Sequence, residues 1–121
     1  MRVALAGNHD LPATCVEALA ADPSAAVRAS VARRARLPPS VARALASDPV
    51  TSIRAAVAAN ACETDVLELL ACDRSPAVRA AVAGNPETPA LFRRLLSRDV
   101  DRGVRESAKS AARPSRRWKR K

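Results

Sequence analysis

The chain has 121 residues, enough for one small domain, and 48% of them are hydrophobic while only 2% are aromatic. A core drawn from 28 Ala together with Val and Leu suits closely packed helices, and only 3 Gly argue against a turn-rich all-β fold. The formal net charge is +9, but residues 109–121 carry +7 (seven basic groups, no acid), so residues 1–108 carry only +2 (14 basic, 12 acidic) and form a nearly neutral body.

Membrane and export signals are not expected in this sequence. No apolar run approaches the roughly 18 residues of a membrane span, and residues 1–10 lack a long apolar stretch with a cleavage site. Three Cys in a chain without a secretory signal indicate free thiols in a reducing compartment. We therefore expect a cytoplasmic protein, and its richness in Ala, Arg, Val and Pro is typical of a GC-rich bacterial genome.

The sequence repeats with a period of 25 or 26 residues. Alignment on the apolar–Arg pair that opens each unit gives units 1–26, 27–52, 53–77 and 78–103 and a partial unit 104–112. A period this regular indicates a repeat architecture. We expect residues 1–112 to form the repeat domain and residues 113–121 to form a disordered basic tail, since like charges repel and little apolar surface is available.

Each unit is predicted to begin with a helix, because its first apolar residues are four positions apart and would lie on one face of that helix. These pairs are Met1/Leu5, Val27/Val31, Ile53/Val57 and Val78/Val82. An Asn (Asn8, Asn60 or Asn85) follows in three units, and we expect it to end the helix in the left-handed conformation. Proline then starts the second helix, where its missing N–H is tolerated.

The second helix of each unit is also predicted to have an apolar face that points into the core. Its inward residues are Val16/Leu19, Val41/Leu45, Val66/Leu67/Leu70 and Leu91/Leu95/Leu96. We expect the Asp that follows to cap the next helix, twice with Pro23 or Pro49 at the first helical position. Since no helix pair can bury its apolar stripe alone, the sequence predicts an all-α fold, a short α-solenoid in which helix pairs stack as a right-handed superhelix.

The unit pattern resembles the leucine-rich repeat variant family and, more distantly, the HEAT-like helical repeats. An Arg always follows the Asp by six positions, and VAGNPETP (82–89) is the closest single match within residues 1–112. The resemblance implies a solenoid in which one of the two helices per unit is often a 3₁₀-helix, and the longer period here leaves open which helix that is, if either. The iron–sulfur segment of some members, with its clustered Cys, has no counterpart in this chain.

The recurring Asp and Arg predict a structural ladder, because an active site is needed once but a stacking device is needed at every interface. Its residues are Asp22, Arg28, Asp48, Arg54, Asp73, Arg79, Asp99 and Arg105. Five residues before each Asp, the charges alternate along Glu17, Arg43, Glu68 and Arg94, so that adjacent helices can pair them. This alternation disfavours a nucleic-acid groove along that face.

Two basic groups are candidates for contact with a polyanion or an acidic partner. In unit two, Arg34 replaces the expected Asn between Arg33 and Arg36, and a solvated turn is the alternative interpretation. The tail contains cations, which release counterions when they bind phosphate, and an indole, which can stack on a base. The alternative interpretation of the tail is a terminus that only increases solubility. The tail residues are Arg113, Arg116, Arg117, Trp118, Lys119, Arg120 and Lys121.

Motifs for catalysis or metal binding are not found in the sequence. Cys15, Cys62 and Cys72 lack CxxC spacing, and we expect Cys15 and Cys72 to be small core or seam residues. His9 is the single histidine, and no Gly-rich phosphate loop, HExxH or EF-hand loop occurs. We therefore expect no enzymatic activity, no cofactor and no metal.

The leading functional hypothesis is a binding or scaffold module that recognises another protein. The alternative is weak nucleic-acid association through the tail and Arg33, Arg34 and Arg36. Met1 aligns with the residue that opens each unit, so Arg2 has no preceding Asp. The first stacking face is then exposed, covered by a partner or a second copy, or inherited from a longer ancestor.

Overall fold

The computed structural model describes residues 12–34 and 37–112, and within these residues the chain forms only α-helices. They are α1 (Ala13–Ala20), α2 (Ala25–Ala32), α3 (Pro39–Leu45), α4 (Thr51–Asn60), α5 (Thr64–Ala71), α6 (Pro76–Gly84), α7 (Ala90–Leu96) and α8 (Arg102–Ala112). Both helices of units two to four are therefore α-helical, and no 3₁₀-helix occurs in this part of the chain. None of the described helices has the length and hydropathy that a bilayer span requires.

The helices form two layers. The first helices of the units, α2, α4, α6 and α8, pack on one another in order, while α1 packs on α3 and α5 on α7 in the second layer. Each helix also contacts its neighbours along the chain, which joins the two layers. The predicted all-α, solenoid-like stack is thereby confirmed, and the handedness of its superhelix stays a prediction.

The core lies between the two layers and follows the predicted spacing. The first helices contribute Val27, Val31, Ile53, Val57, Val78 and Val82, all buried, and the partial fifth unit adds Val104 and Ala108. The second helices contribute Leu19, Leu45, Leu70 and Leu96 at equivalent positions. Each such side chain contributes roughly 1.5–3 kcal/mol when fully buried, so stacking rather than any single pair supplies the stability.

The inward face predicted for α7 is wrong at two residues. Leu96 is buried, but Leu91 and Leu95 are 61% and 58% exposed. Counting back from the Asp that follows each second helix places Phe92 and Arg93 at the positions that Val66 and Leu67 occupy in α5. Three leucines in seven residues do not define one face, and the register of the stack assigns only Leu96 to the core.

The predicted left-handed helix ends are also wrong. No described residue has a positive φ, and Asn85 itself is extended, with φ −76° and ψ 122°. The helix before Asn85 thus ends without a left-handed residue. The Asn85 side chain instead forms hydrogen bonds with the preceding unit. Ala61 after Asn60 is extended in the same way.

The prediction that each Asp caps the following helix is wrong, because the Asp lies too far before the start of that helix. α2, α4 and α6 begin three residues after the Asp, and their N-cap residues make no side-chain capping hydrogen bond. The Asp carboxylate instead accepts the N–H two residues later, as from Asp48 to Val50 (2.9 Å), which closes a local turn before the helix begins. Pro23 and Pro49 therefore lie in that turn rather than at the first helical position.

Candidate functional site

The Asp and Arg residues of the predicted ladder join each unit to the next one along one edge of the stack, which we call the Asp edge. Each of the first three arginines contacts the carboxylate near the end of its own unit, not that of the Asp six residues before it, which belongs to the preceding unit. The pairs, measured from Nε to Oδ2, are Arg28–Asp48 (2.7 Å), Arg54–Asp73 (2.8 Å) and Arg79–Asp99 (2.8 Å). An ion pair thus joins the first helix of each of these units to the turn after its second helix, and the three pairs are largely shielded from solvent.

The same three guanidinium groups, and that of Arg105, also bind the backbone of the preceding unit. Nη1 donates to the carbonyl oxygen of the Asp six residues earlier, at 2.8 Å in all four cases. The donor–acceptor pairs are Arg28–Asp22, Arg54–Asp48, Arg79–Asp73 and Arg105–Asp99. Each of the first three arginines therefore bridges two consecutive turns, and all eight ladder residues lie on the Asp edge.

The ion pairs set the protonation state of two ladder carboxylates. The hydrogen bond from Arg79 lowers the pKa of Asp99 below its ordinary value, against the opposing effect of burial. For Asp73, burial raises the pKa, but hydrogen bonds from Arg54 and from the N–H of Ser75 outweigh it, and the pKa is lowered. Both carboxylates are consequently charged at neutral pH, as the ladder requires.

A second set of contacts between units lies on the opposite edge, where the first helices end, and we call it the Asn edge. The Asn85 amide Nδ2 donates to the carbonyl oxygens of Ala58 and Ala61 at 2.8 Å each, while its Oδ1 accepts the N–H of Glu87. Asn60 donates in the same direction to Ala32 (3.3 Å). These amides satisfy carbonyl groups that a helix end leaves without partners.

Sequence reasoning missed this role of the asparagines. The available signal was that Asn recurs with the same period as the Asp–Arg pairs, which argues for a contact between units by the same reasoning. A left-handed helix end explains the residue type equally well, and only the structure distinguishes the two.

The alternating charges on the second helices do not pair with one another. Arg43 forms its ion pair with Asp65 (Nε–Oδ2 2.8 Å), and Glu17 accepts a hydrogen bond from Ser40 (2.6 Å). In the part of the chain that the structure describes, neither Glu68 nor Arg94 forms an ion pair. The partner of a charged residue is therefore set by the neighbouring helix, not by the shared repeat position.

The described basic residues do not all gather on one face. Arg33 and Arg34 follow α2 at the Asn edge, whereas Arg98 precedes Asp99 at the Asp edge, and Arg102 pairs with Glu106 on its own helix (2.9 Å). The remaining predicted polyanion contacts lie outside the described residues: Arg36, Arg113, Arg116, Arg117, Trp118, Lys119, Arg120 and Lys121.

The three thiols are free and exposed, so the expectation that Cys15 and Cys72 are core or seam residues is wrong. Cys72 lies in the turn after α5, at the position of Ala21 and Ser47, which are exposed too. Within residues 12–34 and 37–112, no group of three or more His, Cys, Asp and Glu side chains lies close enough to hold a metal ion. His9 falls outside these ranges.

The most distinctive exposed feature is apolar and lies on the outer face of the second layer. Leu69 on α5 is 55% exposed, and it joins the exposed Leu91 and Leu95 on the adjacent helix α7 to form what we call the leucine surface. The repeat position of Leu69 and Leu95 is occupied by the exposed residues Ala18 and Ala44 in units one and two. Among the described residues, this outward position therefore carries a large apolar side chain in units three and four but not in units one and two.

Charged groups border the leucine surface. Arg94 and Arg98 lie on its α7 side and Glu68 on its α5 side, all exposed. Leu69 also lines a shallow groove of about 380 Å³ toward α3, whose other walls include Cys72 and Arg74. An apolar centre with a charged border is the usual composition of a protein-binding patch.

Comparisons of this chain with family models, with curated proteins and with solved structures found no match. Functional inference therefore rests on the residues and on the geometry described above.

Proposed function

We propose that this chain is a non-enzymatic helical-repeat module that binds another protein through the leucine surface. The observation that carries the proposal is the exposure of Leu69, Leu91 and Leu95. The stack does not need these side chains, because the first two units have Ala18 and Ala44 at the position of Leu69 and Leu95, and Thr14 and Ser40 at the position of Leu91. Exposed apolar side chains clustered on adjacent elements are typical of interaction sites.

The geometry favours a partner that presents an apolar helical face. Leu91 and Leu95 are one helical turn apart on α7, and Leu69 lies on the neighbouring helix, so the three can accept side chains spaced at i and i+4. Each leucine keeps more than half of its surface available, and covering it contributes roughly 1 kcal/mol. The resemblance to helical-repeat families, which bind through extended helical faces, agrees with this proposal.

The test compares two double variants of the full chain as baits for quantitative affinity capture. Leu91→Ser/Leu95→Ser removes apolar surface, and Ala18→Ser/Ala44→Ser adds hydroxyls at the same outward faces of units one and two. We expect captured proteins to be lost with the first variant and retained with the second, and the affinity of a captured protein, purified and titrated by calorimetry, to fall at least tenfold. Equal capture by both variants would contradict the proposal.

The alternative function is nucleic-acid association, and it rests on the charge of residues 109–121 and on Arg33, Arg34 and Arg36. Emission of Trp118 during titration with duplex and single-stranded DNA, at low and at near-physiological salt, tests this alternative. Strongly salt-dependent binding that disappears in a chain ending at Ala112, followed with labelled DNA, would favour it over the protein-binding proposal.

A further inference from the structure

A basic groove lies at the C-terminal end of the stack, between α7 and α8, and it is distinct from the outward leucine surface. Its volume is about 410 Å³. The residues that line it are Ala90, Arg93, Arg94, Ser97, Ala108 and Lys109, which include three cations and no carboxylate. We call it the C-terminal groove.

In the earlier units, the corresponding side of the second helix is apolar and covered. The repeat position of Arg93 holds Val16, Ala42 and Leu67, which are all buried. The position of Ser97 holds Ala20 and Ala46, which are buried, and Ala71, which is half-buried; the following second helix packs alongside, as α3 does on α1 and α7 on α5. In unit four this side is basic and borders an open groove.

The guanidinium of Arg93 is held by backbone rather than by acid. Its Nη2 donates to the carbonyl oxygen of Thr88 at 2.9 Å, with longer contacts to the carbonyls of Pro86 and Asn85. Its Nε is buried and has no hydrogen-bond partner. Among the described residues, no carboxylate forms an ion pair with Arg93, Arg94 or Lys109. The groove therefore holds positive charge without a carboxylate counter-ion, and backbone carbonyls fix one of its cations, Arg93.

We infer that the C-terminal groove binds carboxylate side chains of an acidic segment of the partner protein. The inference rests on the proposed protein-binding function and deepens it by naming the chemistry of the partner. Guanidinium groups pair with carboxylates through charge-assisted hydrogen bonds, and a neutral occupant would leave the three cations unpaired. Residues 113–121 are an unsuitable occupant, because they carry six basic groups and no acid.

The groove and the leucine surface meet on α7, so one segment can use both. Arg94 lines the groove and immediately precedes Leu95. The occupant is accordingly an acidic amphipathic segment, with apolar side chains on the leucines and carboxylates on Arg94, Lys109 and Arg93.

The experiment titrates the full chain with a fluorescein-labelled oligoglutamate of twelve residues, which has carboxylates but no apolar side chains, and follows fluorescence anisotropy. Arg94→Glu/Lys109→Glu reverses two cations of the groove. Arg43→Glu/Arg102→Glu makes the same change in net charge at two exposed residues outside it. Circular dichroism establishes that both variants are folded.

We expect Arg94→Glu/Lys109→Glu to weaken oligoglutamate binding about tenfold or more, since two charge-assisted contacts are lost, and the control pair to weaken it by less than about threefold. Equal weakening by both pairs overturns the inference, because the probe then responds only to net charge. Failure of the wild-type chain to bind the probe overturns it as well.

Two further arms separate the possible failures. A duplex DNA of twelve base pairs takes the place of the peptide; selective loss of DNA binding in Arg94→Glu/Lys109→Glu without loss of oligoglutamate binding overturns the inference in favour of a phosphate ligand. Leu91→Ser/Leu95→Ser is expected to leave oligoglutamate affinity unchanged. Failure of the leucine surface therefore appears in the capture experiment alone, and failure of the groove appears in this titration.

Discussion

Replacing Arg54 by alanine is expected to be the most damaging single change in the Asp–Arg ladder. Arg54 is the one ladder arginine among the described residues that is buried, and its side chain makes contacts in two units at once. It donates to the Asp48 carbonyl (2.8 Å), to Asp73 Oδ2 (2.8 Å) and more weakly to Asp73 Oδ1 and Thr51. Removal of Arg54 leaves the Asp73 carboxylate without its cation, although only 11% of the Asp73 side chain is exposed.

The magnitude follows from that burial. Removing one partner of a buried ion pair costs about 3–5 kcal/mol, and the lower end applies here because Asp73 keeps the hydrogen bond from the N–H of Ser75. We therefore expect Arg54→Ala to lower the free energy of unfolding by about 3 kcal/mol. At roughly 4 °C per kcal/mol for a chain of this size, the Tm falls by about 12 °C.

The assay is urea unfolding followed by circular dichroism at 222 nm, with thermal melts of the same samples. Arg43→Ala is the matched control, because Arg43 forms an ion pair of similar length with Asp65 but both side chains are more than half exposed. We expect no measurable change for this control. If Arg54→Ala is no more destabilising than Arg43→Ala, the ladder does not hold the units together and the reasoning is refuted.

Three further predictions concern acid stability, the Asn edge and the second layer. Because folding lowers the pKa values of Asp73 and Asp99, the stability that these carboxylates contribute is complete above the unfolded pKa of about 3.9. That contribution is lost as the pH falls through the lower folded pKa values, so urea midpoints measured from pH 7 to pH 2 should drop at the acid end of this range. Asn85→Ala should cost about 2 kcal/mol in urea unfolding, since two buried carbonyls lose their donor; a change within error would exclude the Asn contact as stabilising. Leu67→Ala should cost about 3 kcal/mol and exposed Leu69→Ala under about 0.5 kcal/mol in paired thermal melts, and similar shifts would contradict the assigned register.

The sequence was sufficient for the features that depend on spacing within one helix. Ile53 and Val57 lie four residues apart, and that spacing alone places them on one face and in the core. The features that failed depend on a contact about 20 or more residues away. Arg28 is six residues from Asp22 in sequence, yet its carboxylate partner is Asp48, because the stacking of units brings the next turn closer to the guanidinium.

The orientation of Leu91 and Leu95 could not be predicted from α7 alone. Three leucines within a seven-residue helix leave the inward face ambiguous, and the choice is made by where the neighbouring helices lie. The reassignment matters for function, because the two residues move from the core to the leucine surface, on which the proposed function depends. The C-terminal groove was likewise hidden, since it joins Arg93 on one helix to Lys109 on another.

The contacts on both edges have a consequence for how such a chain can change in length. Each unit carries its own arginine–carboxylate ion pair, and its arginine and asparagine bind backbone carbonyls of the preceding unit. A duplicated copy of residues 53–77 inserted after residue 77 would therefore find the same carbonyl groups before it and offer them to the unit after it. A single extra residue within a first helix would instead rotate its buried valines by about 100° away from the core. Variation of one residue is tolerated between the Asn and the second helix, where three residues separate Asn60 from α5 and four separate Asn85 from α7. The array is thus extensible by whole units, and gene duplication offers it a route to a longer binding surface without a new kind of interface.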